Sequence, residues 1–216
     1  MSGTQGEPVA KLKAFWNSRY AKAGDEYVYG TEPNAFLAAW AAKLAHGGRV
    51  LCVADGEGRN SVWLAKQGFR VTAIDVSEEG VAKARSLAAR EGAKVDAQVA
   101  DVTRFDFGRS RYDAIVSIFL HLPAKARRAT HRRAVEALEP GGAFVYEAYG
   151  PEQPGYGTGG PPEPELLHPL ADVLGDFEGC TIEHAFTGVR RVLEGRAHQG
   201  DGYVVQVIAR RRTAPA

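Results

Sequence analysis

The sequence predicts an α/β fold, a mostly parallel sheet with helices on both faces, and three observations carry the prediction. Short apolar runs alternate with helical repeats between residues 50 and 148. A glycine-rich turn, ADGEGRN, follows the first run, and an acidic residue, Asp75, ends the second. Two β-rich runs near the carboxyl terminus, joined by a polar segment, read as an antiparallel hairpin that finishes the sheet.

The elements follow in order. Pro8 opens a stretch in which Leu12, Phe15, Trp16 and Tyr20 recur at helical spacing; after a break at Gly24, Pro33 opens another with Leu37, Trp40 and Leu44. Strands are then predicted at 50–53, 70–74, 94–99, 112–118 and 143–148, with helices at 60–67, 77–90 and 124–138. Ser77 suits an N-cap, Glu78 and Glu79 favour the positive end of the helix dipole, and Val81, Ala84 and Ala88 share one face. Residues 150–164 hold five glycines and five prolines, so a long loop with no regular element is expected. A short helix around 166–174 and strands at 181–192 and 202–209 complete the chain, with no internal repeat. The run Arg127, Arg128, Arg132, Arg133 reads as a solvated helix face, because Ala134, Ala137 and Leu138 supply the buried side.

Composition narrows the function. With 216 residues and 44% apolar side chains the chain can bury one sizeable core. Its 27 basic and 26 acidic residues are interspersed, so no global field draws it to nucleic acid or anionic membrane, and a small-molecule partner is expected. Two cysteines argue against a disulfide framework, the opening MSGTQGEPVAKLK lacks an export signal, and no apolar run approaches about 18 residues. These features point to a cytoplasmic location and a monomer or homodimer, with no metal ligand set.

The glycine turn and Asp75 point to nucleoside binding. Gly56 and Gly58 allow a tight turn and close approach of a ligand, and a carboxylate at the tip of the second strand accepts hydrogen bonds from ribose hydroxyls. A dinucleotide fingerprint would place a third glycine where Ser61 stands, which weakens a pyrophosphate reading. Asp101, after the third strand, is either a turn aspartate or a contact to an adenine amino group.

With these residues in place, the segment 49–149 resembles the class I S-adenosylmethionine-dependent methyltransferases. The motifs are the glycine turn, ADV after the third strand, YDAIVSIFLHLP and LEPGGAFVYEAY. The flanking WNSRY, YVYGTEPNAFL and EAYGPEQPGYGTGGPPEPELL resemble bacterial small-molecule enzymes near the tellurite-resistance and thiopurine methyltransferase groups. The resemblance implies a Rossmann-like three-layer sandwich with seven strands ordered 3-2-1-4-5-7-6, the last antiparallel. It implies one methyltransferase domain over 1–216: a helical cover (1–47), a cofactor-binding core (48–149), and a lid loop with terminal strands (150–216). Two departures stand out: Cys52 and Ala54 occupy positions where the family has an acidic residue and a glycine. Asp55 or a backbone carbonyl is the expected substitute for the carboxylate.

Residue by residue, the resemblance implies S-adenosyl-L-methionine as cofactor, with Gly56 and Gly58 at its methionine end, Asp75 on the ribose and Asn60 also among the binding residues. Val76 would cover the adenine, and Asp101 with Val102 would meet its edge. Arg19, Tyr20, Tyr29 and Gly30, with Trp16, would fold over it, Arg19 being suited to the methionine carboxylate or else lying in solvent. Methyl transfer needs positioning and exclusion of water, and His121 is the candidate base where the acceptor requires one. The expected acceptor is a small molecule such as a thiol or metalloid oxyanion, which Tyr149, Tyr156, Arg190, Arg196 and His198 would meet; a cationic pocket there would suit an anion. Two other readings stand beside it: an NAD(P)-dependent reductase on a related sheet, and a non-catalytic S-adenosylmethionine-binding protein.

Overall fold

The computed structural model describes residues 6–213; positions 1–5, part of the opening read above for an export signal, lie outside the described residues. Strands β1 (Arg49–Val53), β2 (Arg70–Asp75), β3 (Val95–Val99), β4 (Tyr112–Ile118), β5 (Leu138–Tyr149), β6 (Cys180–Glu194) and β7 (His198–Arg211) form one sheet. Helices are α1 (Gly6–Lys22), α2 (Ala35–Ala41), α3 (Arg59–Lys66), α4 (Glu78–Arg90), α5 (Ala124–Ala137) and α6 (Leu170–Leu174). The strand order is 3-2-1-4-5-7-6, the Rossmann-like order expected. Strands β1 to β5 pair in parallel, and β7 runs antiparallel to both β5 and β6.

Alternation along each strand divides the core in two. Leu51 and Val53 of β1 join Ile115, Phe144, Tyr146 and Val207 on one face, beneath α5 and α6. Val50 and Cys52 join Val71, Ala73, Val116 and Ile208 on the other, beneath α2, α3 and α4. Leu51, Ile115 and Leu87 are essentially fully buried, and each such side chain contributes about 1.5–3 kcal/mol. Ser77 caps α4 as expected, its Oγ accepting from Gly80 N at 3.0 Å.

Several expectations need correction. Arg127 does not lie on a solvated face: it is buried, and its guanidinium binds Asp176 (Nε–Oδ2 2.6 Å) together with His131 (Nδ1–Oδ2 2.9 Å). Arg133 also turns inward, donating to the Thr103 carbonyl at 2.7 Å and to that of Phe105. A long side chain at the rim of a helix face is drawn under by acceptors that distant segments supply. The helix predicted over 166–174 is a 3-10 turn (Pro164–Leu166) followed by α6. The glycine-proline loop holds another such turn, Gln153–Gly155, and its last residue, Pro164, opens the first, because proline suits the first positions of a helical turn. Helix α2 stops at Ala41, short of Leu44, β5 starts at Leu138, and the terminal hairpin extends until only residues 195–197 connect its strands.

Candidate active site

The carboxyl ends of β1 to β5 converge on one edge of the sheet. There the turn after β1 reverses through left-handed backbone at Ala54 (φ 51°), Gly56 (φ 59°) and Gly58 (φ 92°). Asp75 at the end of β2 ties it down: Oδ2 accepts from Gly56 N and Oδ1 from Ser77 N, both at 2.8 Å. Burial pushes the Asp75 carboxyl up, opposed by these amide hydrogen bonds. The two glycines serve different neighbours. A Cβ on Gly56 would lie 2.6 Å from the Tyr20 hydroxyl, whereas one on Gly58 would lie 2.7 Å from the Ala84 Cβ of α4. Gly56 thus admits the cover, and Gly58 admits a helix.

Cys52 faces the core, where burial pushes its thiol up. Asp55 anchors the turn instead, accepting from Ser61 N at 3.3 Å and from the Ser61 hydroxyl. Burial, reinforced by Asp75 nearby, raises the Asp55 pKa to about 7 against these hydrogen bonds.

At the third strand end, Asp101 Oδ1 accepts from Thr103 N (2.8 Å) and Oγ1 (2.7 Å), while Oδ2 is buried with no hydrogen-bond partner. Val76 is half-buried beside Asp75, and Val102 belongs to the core. Above this edge lies the cover. Trp16 stacks on Tyr20 (5.5 Å), and the Arg19 guanidinium lies 5.9 Å from the Trp16 ring and 5.7 Å from Tyr29.

The cover is clasped from two sides. Glu57 Oε2 accepts from Val28 N at 2.8 Å, and Lys83 of α4 bridges Glu57 Oε1 (2.6 Å) and the Glu26 carbonyl (2.5 Å). From the hairpin tip, Gly195 lies so close that a Cβ would sit 2.4 Å from Gly30 N, and Arg196 pairs with Glu26 at 2.5 Å.

Beyond β4, Phe119 adopts φ 55° and donates its N–H to the Glu147 carbonyl at 2.7 Å. His198 packs against Tyr29 (4.6 Å), Phe119 (4.9 Å) and Tyr149 (5.5 Å), and His121 stacks on Tyr149 at 6.0 Å. The His121 Nδ1 lies 3.2 Å from the Leu166 carbonyl, which can only accept, so Nδ1 carries the proton and Nε2 presents its lone pair. Burial lowers both His121 and His198 to about 4, so both are neutral at pH 7. His168 returns the link with a bond to the Leu122 carbonyl at 2.8 Å, lacing the loop to the end of β4. The Tyr149 hydroxyl donates to Thr158 O (2.9 Å), and buried Gln153 binds Thr158 Oγ1 (3.0 Å) and Tyr203 N (2.8 Å), so the loop is pinned.

The expected cationic lining takes another form. Arg190 is held by Glu147 and by Glu194 (2.7 Å), and Arg59 pairs with Glu194 at 2.5 Å. Asn34 Nδ2 donates to Glu147 (2.8 Å) and Glu194 (3.0 Å), and Asn60 Oδ1 accepts from Asn34 N at 2.9 Å. One buried and one partly buried guanidinium thus meet two buried carboxylates. Arg196 and Tyr156 are on the surface, Tyr156 stacked on Tyr203 at 6.5 Å. Sequence reading missed Asn34, Glu57, Arg59, Glu147 and Glu194. A lone acid in the apolar run FVYEAY and an asparagine after Pro33 were the available signals.

Eight buried side-chain polar atoms lack a hydrogen-bond partner among the described residues; Glu57 Oε1 is met by Lys83 at 2.6 Å, and Asp101 Oδ2 has only the exposed Arg104 at 3.8 Å. Apart from Glu57 Oε1, six of the remaining seven lie at this edge: Arg19 Nε, Arg59 Nη1, Asp101 Oδ2, Ser117 Oγ, His121 Nε2 and His198 Nδ1. An unsatisfied buried group costs about 1–3 kcal/mol, and such a concentration suits an edge completed by a polar ligand. An acceptor at Asp101, a guanidinium at Arg19 and a carboxylate at Asp75 fit the amino, carboxylate and ribose groups of an adenosyl amino acid. Volume does not mark this edge; an open cleft of about 950 Å³ lies at the opposite end of the sheet. No group of three or more His, Cys, Asp or Glu among the described residues is placed to hold a metal, and no described helix is long and apolar enough to cross a membrane.

Residues 50–142 match the family model described as a methyltransferase domain. A Mycobacterium tuberculosis protein described as uncharacterized protein Rv1405c is 30% identical over 137 residues, covering 63% of this chain and 49% of that protein. A ubiquinone biosynthesis O-methyltransferase of Paramagnetospirillum magneticum is 35% identical over 98 residues, 44% of this chain and 38% of its own. The chain thus spans about half the length, or less, of these curated relatives. The magnesium protoporphyrin IX methyltransferase of Synechocystis PCC 6803, solved with bound S-adenosylhomocysteine (SAH), superposes with a TM-score of 0.70 at 20% identity, covering 94% of this chain and 99% of that one. At that identity the likeness establishes the shared fold.

Proposed function

We propose that this chain is an S-adenosylmethionine-dependent methyltransferase acting on a small-molecule acceptor, in the neighbourhood of the tellurite-resistance and thiopurine methyltransferase groups. The observation that carries the reading is the cluster of unsatisfied polar groups at the sheet edge of Gly56 and Asp75, in which Arg59, Asp101, Ser117 and His121 belong to the segment that matches the methyltransferase domain model and Arg19 and His198 come from either side of it. The subgroup rests on the flanking motifs alone. In this reading residues 1–47 are the cover, 48–149 the cofactor-binding core and 150–216 the closing loop and strands of one domain.

Asp75 would bind the ribose hydroxyls, with its position fixed by the Gly56 and Ser77 amides. Asp101 Oδ2 would receive the adenine amino group, and Val76 would lie along the ring. Arg19, lodged between Trp16 and Tyr29, would meet the carboxylate. Tyr20 and Gly30 belong to the clasped cover that excludes water, and Asn60 holds the Asn34 backbone in register with the turn. The bound cofactor supplies an activated methyl group on a cationic sulfur.

The rest is the chain's own work. His121 offers a neutral lone pair at Nε2, fixed by the Leu166 carbonyl. With a pKa near 4, it accepts a proton from a thiol of pKa about 8.5 at a cost of about 6 kcal/mol, but from a water-like hydroxyl of pKa about 15.7 at a cost of about 16 kcal/mol. That difference favours a soft or acidic acceptor, a thiol above an alcohol. A metalloid oxyanion, the other class expected, would have to be drawn in although Arg190 is neutralised by Glu147 and Glu194. Tyr149 and His198 would line its approach, with Tyr156, Arg190 and Arg196 farther out.

Calorimetry with S-adenosylmethionine, SAH and NADPH tests the cofactor, and SAH release with a panel of thiols and selenium or tellurium oxyanions tests the reaction. Binding of NADPH alone would establish the reductase reading. Cofactor binding with no turnover on any acceptor would establish a binding protein.

A further inference from the structure

The open cleft at the amino-terminal ends of β1 to β4 lies at the far end of the strands from the proposed active site. Its walls carry Arg49, Arg70, Arg85, Lys94 and Arg111, against the single acid Asp96. Arginines elsewhere commonly meet a carboxylate within 4 Å, as Arg59, Arg127, Arg190 and Arg210 do. Here only Arg49 does, bound to Asp113 (3.2 Å) and Glu139 (2.6 Å). Among the described residues, Arg70, Arg85, Lys94 and Arg111 form no ion pair, and Asp96 takes a hydrogen bond from Gln98 at 2.7 Å. Arg70 feels Asp113, the partner of Arg49, across the cleft's rim, so Arg85, Lys94 and Arg111 are the cations that outnumber the lining carboxylate Asp96 and give this cleft a local positive excess.

Arg70, Arg85 and Arg111 are held in place without losing their charge. Arg85 gives Nε (3.1 Å) and Nη2 (2.6 Å) to the Ala97 carbonyl, and Arg70 gives Nε to the Gly47 carbonyl at 3.1 Å. Arg111 lies over the Tyr112 ring at 5.6 Å, against Gly108, where a Cβ would come within 2.3 Å of its Cδ. Carbonyls and a ring orient a guanidinium but do not neutralise it, so the ordering entropy is already spent before any anion arrives. Between the cations the cleft is apolar, formed by Phe69, Val71, Ala88, Ala89, Val95 and Tyr112. Arg70, Arg85, Lys94 and Arg111 are exposed, and a ligand body lying on the apolar surface between them would shield their charge-assisted bonds from water.

We propose that this cleft is a second binding site, for a small ligand with an apolar body and two or more negative oxygens, phosphate or carboxylate. The charge placement calls for an anion, and the walls call for a hydrophobic ligand body. The volume of about 950 Å³ lies in the range of small-molecule sites, about 300–1,000 Å³. The site shares no residue with the proposed cofactor crevice, so a ligand here does not compete with the cofactor for space.

The test uses the full chain and three probes by calorimetry at low and moderate salt: 1-naphthyl phosphate, 1-naphthol and inorganic pyrophosphate. A second aromatic anion, 1,8-naphthalenedicarboxylate, separates carboxylate from phosphate preference. One or both of the aromatic anions should bind with sub-millimolar affinity, with naphthol and pyrophosphate about tenfold or more weaker. Lys94→Gln combined with Arg111→Gln should weaken the aromatic anion by about tenfold or more and leave SAH binding unchanged. Saturating SAH should not displace the probe. Absence of binding by both aromatic anions, displacement by SAH, or indifference to the double substitution would overturn the proposal. None of these results bears on whether the crevice binds S-adenosylmethionine, which the SAH titration reports separately.

Discussion

Replacing Asp55 by asparagine should stabilise the protein, and more so as pH rises. Asp55 holds the turn after β1 through Ser61 N on Oδ1 and the Ser61 hydroxyl on Oδ2; asparagine keeps its carbonyl for Ser61 N and turns its amide to the hydroxyl, which can accept from it while donating to the Gly58 carbonyl. Burial raises its folded-state pKa from 3.8 to about 7. The native state therefore keeps a proton that the unfolded chain releases between those values, so stability falls as pH rises through that window and levels off above about pH 7. At 1.36 kcal/mol per unit, the full cost is about 4 kcal/mol. The residue retains some solvent contact, so about 2 kcal/mol is the working expectation, or about 4–8 °C in Tm for a chain of this size. Urea unfolding of both proteins at pH 4 and pH 8 isolates the effect, because every other titrating group is common to the two. The advantage of Asp55→Asn should be small at pH 4 and large at pH 8. An advantage equal at both pH values, or a loss at pH 8, would refute the assignment of a costly buried carboxyl.

Asp75→Asn should weaken SAH binding by about 1–3 kcal/mol in calorimetry; unchanged affinity would contradict the ribose role. Ala54→Gly should raise stability by about 0.5–1 kcal/mol, measured by thermal unfolding, because glycine relieves φ 51° at a small cost in unfolded-state entropy. Arg127→Met should cost about 3–5 kcal/mol by removing the buried guanidinium of Asp176 and leaving it only the exposed Arg128 at 3.4 Å. Burial pushes Asp176 up, but His131 and Arg127 hold it at about 2, so its stabilisation of about 2 kcal/mol persists above pH 3.8 and fades as pH falls through 2. Acid titration of unfolding in the native protein and in Arg127→Met should show that window shrink in the variant.

The parallel sheet was legible because β1, β2, β4 and β5 are apolar runs alternating with helices, and β7 carries apolar side chains in both alternating sets. The order of the strands came from the resemblance to the methyltransferases, since β3 alternates apolar and polar residues and reaches β4 without a helix. Asp75 was legible because its place depends only on the end of one strand and the turn before it. What stayed hidden depends on distant pairing. Arg127 looks like any helix-rim arginine until Asp176, 49 residues later, is brought beneath it. Glu147 reads as an intruder in an apolar strand until Asn34, Arg190 and Gln206 close around it. Spacing reports the period of one element and is silent on which partner a second element delivers. The same limit applies to Gly58, whose neighbour Ala84 lies on the next helix.

The buried network bears on how a cation is to be accommodated. Under the proposed reading the crevice must accept a sulfonium, and free guanidiniums close by would oppose it: two unit charges 6 Å apart repel by about 3 kcal/mol at an effective dielectric of 20. Arg59 stands at the start of α3 beside the glycine turn, and Arg190 projects from β6 toward Glu147. Glu194 holds both, with Arg59 at 2.5 Å and Arg190 at 2.7 Å, and Glu147 takes the second bond of Arg190. Attraction to these arginines overcomes burial and keeps Glu194 below its ordinary pKa, so its charge persists at neutral pH. The carboxyl-terminal hairpin therefore neutralises an arginine of the glycine turn, and the same hairpin's tip clasps the cover through Gly195 and Arg196. Closing the crevice and balancing its charge are thus tasks of one element, which explains why a hairpin so far along the chain extends past the end of β5 to reach the first turn of the sheet.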